Sequence, residues 1–298
     1  MYLVAGITGN VGGAAARQLL ENGQSVRALV RDPQKAAQMT AGWARQGVEF
    51  RHGDFTDAAS IAAALDGVEG AFLMLPPVLA PAPGFPEASA MIDSFREALR
   101  RVPPPRLVLL SSIGSERDSG LGLITATHLL EAALGDLPMP TAVVRAGCFL
   151  NNFTHDGLER VAATGVFDCF LAPTDRPVPM IAAGDIGKEV ARLLAEGWSG
   201  RKALELGTAF SPDDLARAME EALGCPVEAR SVPRAEWTAR LEAIGLPAGR
   251  TGPFEEMWDG VNSGWIDFGA AGTEAVAVTQ TPAAFFAAVR KARSEPVS

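Results

Sequence analysis

The chain has 298 residues, with 35 acidic and 26 basic side chains and a net charge of −9. That charge argues against a nucleic-acid partner, because neutralising phosphates needs a basic face. Hydrophobic residues make up 48% of the sequence and no run of 18 apolar residues occurs, so the chain fills a large core in one or two domains and no membrane-spanning helix or membrane partner is expected.

The elements alternate from the start. Residues 2–5 read as a strand rather than a signal peptide. Val11, Ala15 and Leu19 then recur at helical spacing until Gly23. A second strand is predicted over 25–30, a helix over 33–46 and a third strand over 48–51. Asp57 caps a helix with Ile61 and Leu65 on one face, closed by Gly67. A fourth strand over 70–75, a helix over 86–101, a fifth strand over 107–112, a helix over 124–134 and a sixth strand over 141–145 follow. Strands apolar on both faces, each followed by a helix, predict a doubly wound parallel sheet covered on both sides, a Rossmann-type α/β fold. The dinucleotide-binding part is expected over 1–150 and completed by about 183–208, through a helix over 185–196 and a strand over 202–206. The remainder, 151–298, is expected as a small mixed lobe. There, Ser211, Pro212 and Asp214 announce a helix start, and Thr281–Pro282 another.

Cys148, Cys169 and Cys225 are scattered and odd in number, which fits a reducing cytoplasm. His52, His128 and His155 share no metal-ligand spacing with them, so no metal is expected.

Between the first strand and its helix stand Gly6, Gly9, Gly12 and Gly13. Glycine inside regular structure costs about 0.5–1 kcal/mol relative to alanine, so the cluster needs a reason. A strand, a glycine turn and a helix N-terminus together make an anion site, because the first-turn amides lack partners and the helix dipole is positive there. Gly6 permits the tight turn, Gly9 clears space for a pyrophosphate, and Gly12 lets the helix approach the strand. Gly6, Thr8, Gly9, Asn10, Val11 and Gly12 are therefore the expected dinucleotide contacts.

The second strand ends Arg31–Asp32–Pro33, with Lys35 beyond. An acid there would accept from the 2′-hydroxyl of NAD, whereas Arg31 and Lys35 suit a 2′-phosphate. NADPH rather than NAD is the expected cofactor, with Asp32 capping the next helix as the competing role. The same arginine argues against a methyltransferase. Leu75 and Pro76, after the fourth strand, are expected to pass under the cofactor ribose.

The stretches GITGNVGG, ALVRDPQKA, HGDFTD, LVLLSSIGS, AVVRAGCFLNNF and NSGWIDF together resemble the NmrA-like group of atypical short-chain dehydrogenases, over nearly the whole chain. The resemblance implies a nicotinamide dinucleotide and a small lobe over the nicotinamide. It implies either a reductase of quinones or related acceptors, or a redox-sensing regulator that performs no chemistry. It also implies adenine contacts at Asp54 and Phe55. Short-chain dehydrogenases usually carry a tyrosine and, four residues on, a lysine. In ITATHLLEAAL, Ile124 takes the tyrosine position and His128 the lysine position, and the chain's one tyrosine is Tyr2.

The missing phenol constrains the reaction. Hydride addition to a ketone gives an alkoxide near the basicity of hydroxide (bulk-water pKa about 15.7), but addition to a quinone gives a phenolate of pKa about 10. The gap is about 8 kcal/mol, so quinone-like, enone or iminium acceptors are favoured over simple ketones, with water as proton source. Expected catalytic residues are His128, Ser111, Asn151 and Phe149. His128 and Ser111 are also expected at the ribose, and Gly147 and Phe149 at the nicotinamide. The competing role for Phe149 is ordinary core, and Trp258 and Trp265 either roof the pocket or form the lobe's core. The expected assembly is a monomer or homodimer acting on a small molecule.

Overall fold

In the computed structural model, residues 1–40, 42–154 and 157–294 are described. The first half runs β1 (Tyr2–Ala5), α1 (Asn10–Glu21), β2 (Val26–Val30), α2 (Pro33–Met39), β3 (Val48–His52), α3 (Ala58–Leu65), β4 (Gly70–Leu73), α4 (Pro86–Arg101), β5 (Leu107–Ser112), α5 (Thr125–Ala133) and β6 (Thr141–Ala146). The second half adds β7 (Cys148–Phe149), α6 (Gly157–Thr164), β8 (Val166–Cys169), β9 (Val178–Ile181), α7 (Ala183–Glu196), β10 (Arg201–Leu206) and β11 (Thr208–Phe210). It ends with α8 (Pro212–Leu223), β12 (Glu228–Ser231), α9 (Trp237–Ala243), α10 (Gly252–Ser263), β13 (Thr273–Val276) and α11 (Pro282–Ser294).

Eight strands form one sheet in the order β13-β10-β6-β5-β4-β1-β2-β3, every neighbouring pair parallel. Two small sheets, β11-β9-β7 and β12-β8, stand apart from it. The large sheet is covered on both faces. On one side Val11, Ala15 and Leu19 of α1 pack with Ile186, Val190 and Leu194 of α7. On the other, Ile61 and Leu65 of α3, Phe95 and Leu99 of α4 and Leu130 of α5 form the second core. Strands buried on both faces need apolar residues at every position, and β1 (YLVA) and β4 (GAFL) supply them. A third core holds the small sheets, α8, α10 and α11, and takes in Ile113, Leu121 and Ile124 from the segment after β5.

Ser211 forms a full capping box with Asp214 at the start of α8, and the Thr281 hydroxyl accepts the Ala284 amide at α11. The helix predicted over 33–46 is shorter: α2 stops at Met39, and a left-handed Gly42 (φ 83°) leads into a 3₁₀ turn over Trp43–Gln46. Ala41, within that predicted helix, and His155 lie outside the described residues. Among the described residues no helix is long and apolar enough to cross a membrane, and no group of His, Cys, Asp or Glu could hold a metal ion.

Candidate functional site

Chain order reverses between β1 and β4, which are hydrogen-bonded neighbours. Ligands of open α/β sheets bind beyond the strand C-termini at such a switch point, and the glycine turn stands there. Gly6 has φ +67°, and a Cβ on it would stand 3.0 Å from Met74 Sδ. Gly9 is extended and exposed; a Cβ there would meet only the Gly6 carbonyl oxygen, at 3.3 Å. Gly12 has no such room. Its Cβ would stand 2.5 Å from the Gly6 carbonyl carbon and closer still to the carbonyl oxygens of Ala5 and Gly6. The first hydrogen bond along α1 runs from the Gly13 amide to the Gly9 carbonyl (3.0 Å), so the amides of Asn10, Val11 and Gly12 precede the ladder. A cleft of about 370 Å³ opens here, bringing Thr8, Gly9 and Asn10 together with Asn151 and Gly184. A bare backbone cradle at a helix N-terminus fits a dinucleotide pyrophosphate.

At the neighbouring strand ends the charges divide their roles. The Asp32 carboxylate accepts the Lys35 amide at 2.9 Å and caps α2, which occupies one of its oxygens. Arg31 and Lys35 are exposed. Asp54, past β3, accepts the Thr56 hydroxyl (2.7 Å) and amide (2.9 Å). Those two bonds, with the charges of Arg31 and His52 adding, hold its carboxyl below the usual carboxylate range. Phe55 lies edge-on to Phe95 at 5.4 Å, against the α4 core. Leu75 is half-buried and Pro76 exposed on the loop after β4.

At the ends of β5 and β6 the polar groups are largely committed. Ser111 is buried and donates to Glu131 Oε1 at 2.5 Å. Glu131, one turn beyond His128 on α5, also accepts Arg145 Nε (3.0 Å) and Nη2 (2.7 Å). Glu116 stands 3.4 Å from Arg145. Burial opposes the Arg145 charge, but the Glu131 hydrogen bonds and the charges of Glu131, Glu116 and Glu205 outweigh it and hold its pKa above the usual guanidinium value. Asn151 Oδ1 accepts the Ala183 amide at 2.9 Å. His128 is different. Its Nδ1 stands 3.0 Å from the Ser115 carbonyl, and a carbonyl only accepts, so Nδ1 carries the proton and Nε2 is the ring's other functional nitrogen.

Tyr2 is buried at the opposite end of β1, four residues and about 13 Å of strand from Gly6. Gly147 lets the chain after β6 pass β9, since a Cβ would stand 2.7 Å from the Pro179 carbonyl. Phe149 is half-buried against the sheet core. The two tryptophans part company: Trp258 is buried beside Phe170 and Phe254, whereas Trp265 is 43% exposed.

Burial pushes the Cys148 thiol up to about 12 and the Cys169 thiol to about 11, so neither is a ready nucleophile. At pH 8 their thiolate fractions fall about a thousandfold and a hundredfold below that of an ordinary thiol. A thiol-disulfide reagent on native protein should therefore titrate Cys225 alone in the fast phase, and all three cysteines after denaturation.

Sequence reasoning passed over Glu131, Arg145 and Ser115. Arg145 carried a signal: a charge inside the apolar run AVVRAG needs a buried partner.

A profile of the NmrA-like family matches residues 2–263. The chain is 25% identical over 253 residues to quinone oxidoreductase 2 of Escherichia coli (strain K12), covering 84% of each chain. It is 25% identical over 260 residues to an NAD(P)H azoreductase of Xenophilus azovorans, covering 87% of this chain and 86% of that one. Its fold matches that of an NADPH-dependent quinone oxidoreductase from Escherichia coli complexed with NADPH, with a TM-score of 0.77 at 23% identity, over 97% of this chain and 99% of that one.

Proposed function

This chain belongs to the NmrA-like family, and from that premise we propose that it is an NADPH-dependent reductase passing hydride directly to a quinone-like, enone or iminium small molecule. The observation that carries the reading is the bare glycine cradle at the sheet's switch point; Ile124 and His128, standing where short-chain dehydrogenases usually carry tyrosine and lysine, support it. The similarity to a quinone oxidoreductase and an NAD(P)H azoreductase supports it. The Rossmann part is residues 1–150, completed by about 183–208; the lobe from 151 onward takes the substrate.

The amides of Asn10, Val11 and Gly12 hold the pyrophosphate, and Thr8 flanks it. Arg31, with Lys35, takes the 2′-phosphate while Asp32 serves α2. Asp54 and Phe55 border the adenine, and Leu75 and Pro76 the ribose. Gly147 and Phe149 border the nicotinamide, leaving its other face to the substrate. NADPH, when bound, supplies the hydride. Ser111 accepts rather than donates there, because its proton is committed to Glu131. Asn151 keeps its amide NH₂ for a substrate oxygen, since Oδ1 serves Ala183. His128 Nε2 is the group best placed to relay a proton from water, which suffices for a phenolate but not for an alkoxide.

The test is to mix the protein with NADPH and a panel of quinones, enones and iminium dyes and follow the nicotinamide absorbance. Turnover supports the reductase. Tight NADPH binding with no turnover across the panel favours a dinucleotide sensor instead, a reading the missing tyrosine also suits.

Cofactor choice gives a separate expected result. Arg31→Ala should weaken NADPH about ten- to a hundredfold, the worth of one charge-assisted hydrogen bond. NADH binding should stay within about twofold, as measured by titration calorimetry.

A further inference from the structure

We infer that Trp265 is a positioning residue for His128, acting through the loop between β5 and α5. The inference rests on the reading above, in which His128 stands at the hydride-transfer end.

Two grips hold this loop. On the α5 side, Ser115 is 1% exposed and its hydroxyl lies 2.7 Å from Thr127 Oγ1. The Thr127 proton is already given to the Ile124 carbonyl at 2.8 Å, so Ser115 is the donor of the pair. This fixes the residue whose carbonyl receives the His128 Nδ1–H. On the lobe side, the Trp265 indole N–H donates to the Ser119 carbonyl at 2.9 Å. The Arg117 guanidinium lies 3.9 Å over the same ring. Ile266 packs against Gly114, and α10 against Gly122, where a Cβ would stand 3.0 Å from Met257 Cα and closer to the Pro253 carbonyl.

Trp265 thus has an exposed ring with both its polar atom and its π-face engaged, and every engaged partner belongs to this loop. An isolated surface aromatic needs no such partners. The physical consequence concerns the imidazole. Nδ1 stays protonated, and Nε2 stays available, only while the Ser115 carbonyl remains within hydrogen-bond reach. The loop carries that carbonyl, and Trp265 ties the loop to the lobe. The lobe therefore sets which nitrogen of His128 faces the reaction.

The test uses Trp265→Phe, which keeps a ring for Arg117 but loses the N–H, and Trp265→Ala, which loses both. Ile244→Ala, at a more exposed site of the lobe (70% exposed), is the control. The chain has three histidines, so nitrogen–proton correlation spectra of the imidazoles are sparse, and His128→Gln assigns the peak. Expected are an unchanged NADPH affinity, a kcat with quinone about three- to tenfold lower in Trp265→Phe and lower again in Trp265→Ala, and a His128 signature moved away from the pure Nδ1–H tautomer. Unaltered His128 resonances in both variants overturn the inference, whether or not kcat falls. If wild-type protein reduces no acceptor, the reductase reading fails. The spectra still decide the positioning role.

Discussion

Gly12→Ala should lose both stability and dinucleotide binding, whereas Gly9→Ala should lose only binding. The distinction follows from what each new methyl would meet. At Gly12 it meets main-chain carbonyls of Ala5 and Gly6, which cannot rotate aside. Relief requires α1 to lift from β1, and overpacking of this kind costs on the order of 3 kcal/mol. For a chain of this size that lowers Tm by roughly 5 °C. The same shift withdraws the amides of Asn10 and Val11, so NADPH affinity should fall by at least about a hundredfold. At Gly9, which lines the cleft, the backbone is already extended, at φ −100°, and the methyl meets one oxygen at 3.3 Å. Thermal melts should then match wild type within about 2 °C, with NADPH affinity reduced about tenfold or more. Equal melting losses in the two variants would show that Gly9, too, serves packing.

Arg145→Met should be the most destabilising change away from the glycine turn. The Arg145 and Glu131 side chains are 9% and 10% exposed, and the guanidinium is the counter-charge to Glu131 and Glu116. Removing one partner of a buried pair leaves an uncompensated charge and costs about 3–5 kcal/mol. The double variant Arg145→Met with Glu131→Leu should recover more than half of that loss, because two apolar side chains of similar volume need no pairing. Urea titrations of wild type, both single variants and the double variant complete the cycle. Additive losses would mean that the pair is not coupled.

What the sequence made legible was local. The first strand, its glycine turn and the following helix are contiguous in the chain, and their chemistry is fixed within about twelve residues. The capping box at Ser211 is equally local. Longer-range commitments were hidden. Asn151 looked free for a substrate, yet its carbonyl oxygen serves the Ala183 amide 32 positions away. Ser111 looked like a hydroxyl at a strand end, yet its partner Glu131 is brought to it by the packing of α5 on the sheet. The eighth strand, β13, escaped notice because its residues, TEAV, are half-exposed on an edge and carry no alternation. Trp258 and Trp265 are seven residues apart and share a residue type. Trp258 sits within α10, whereas Trp265 follows the left-handed Gly264 (φ 77°) that ends it, and that turn separates a core ring from an exposed one.

The pairing of α1 with α7 bears on how the chain matures during translation. Gly187 lies so close to Ala14 that a Cβ on it would stand 2.6 Å from the Ala15 amide nitrogen, and β10 pairs with β6 along its whole length. When residue 150 leaves the ribosome, the flank of α1 and the outer edge of β6 are both still bare. Domains ordinarily fold as units in order of synthesis. Here the nascent first half must wait for about sixty more residues before its exposed apolar side is sealed, and over that interval it is the segment a chaperone would have reason to hold.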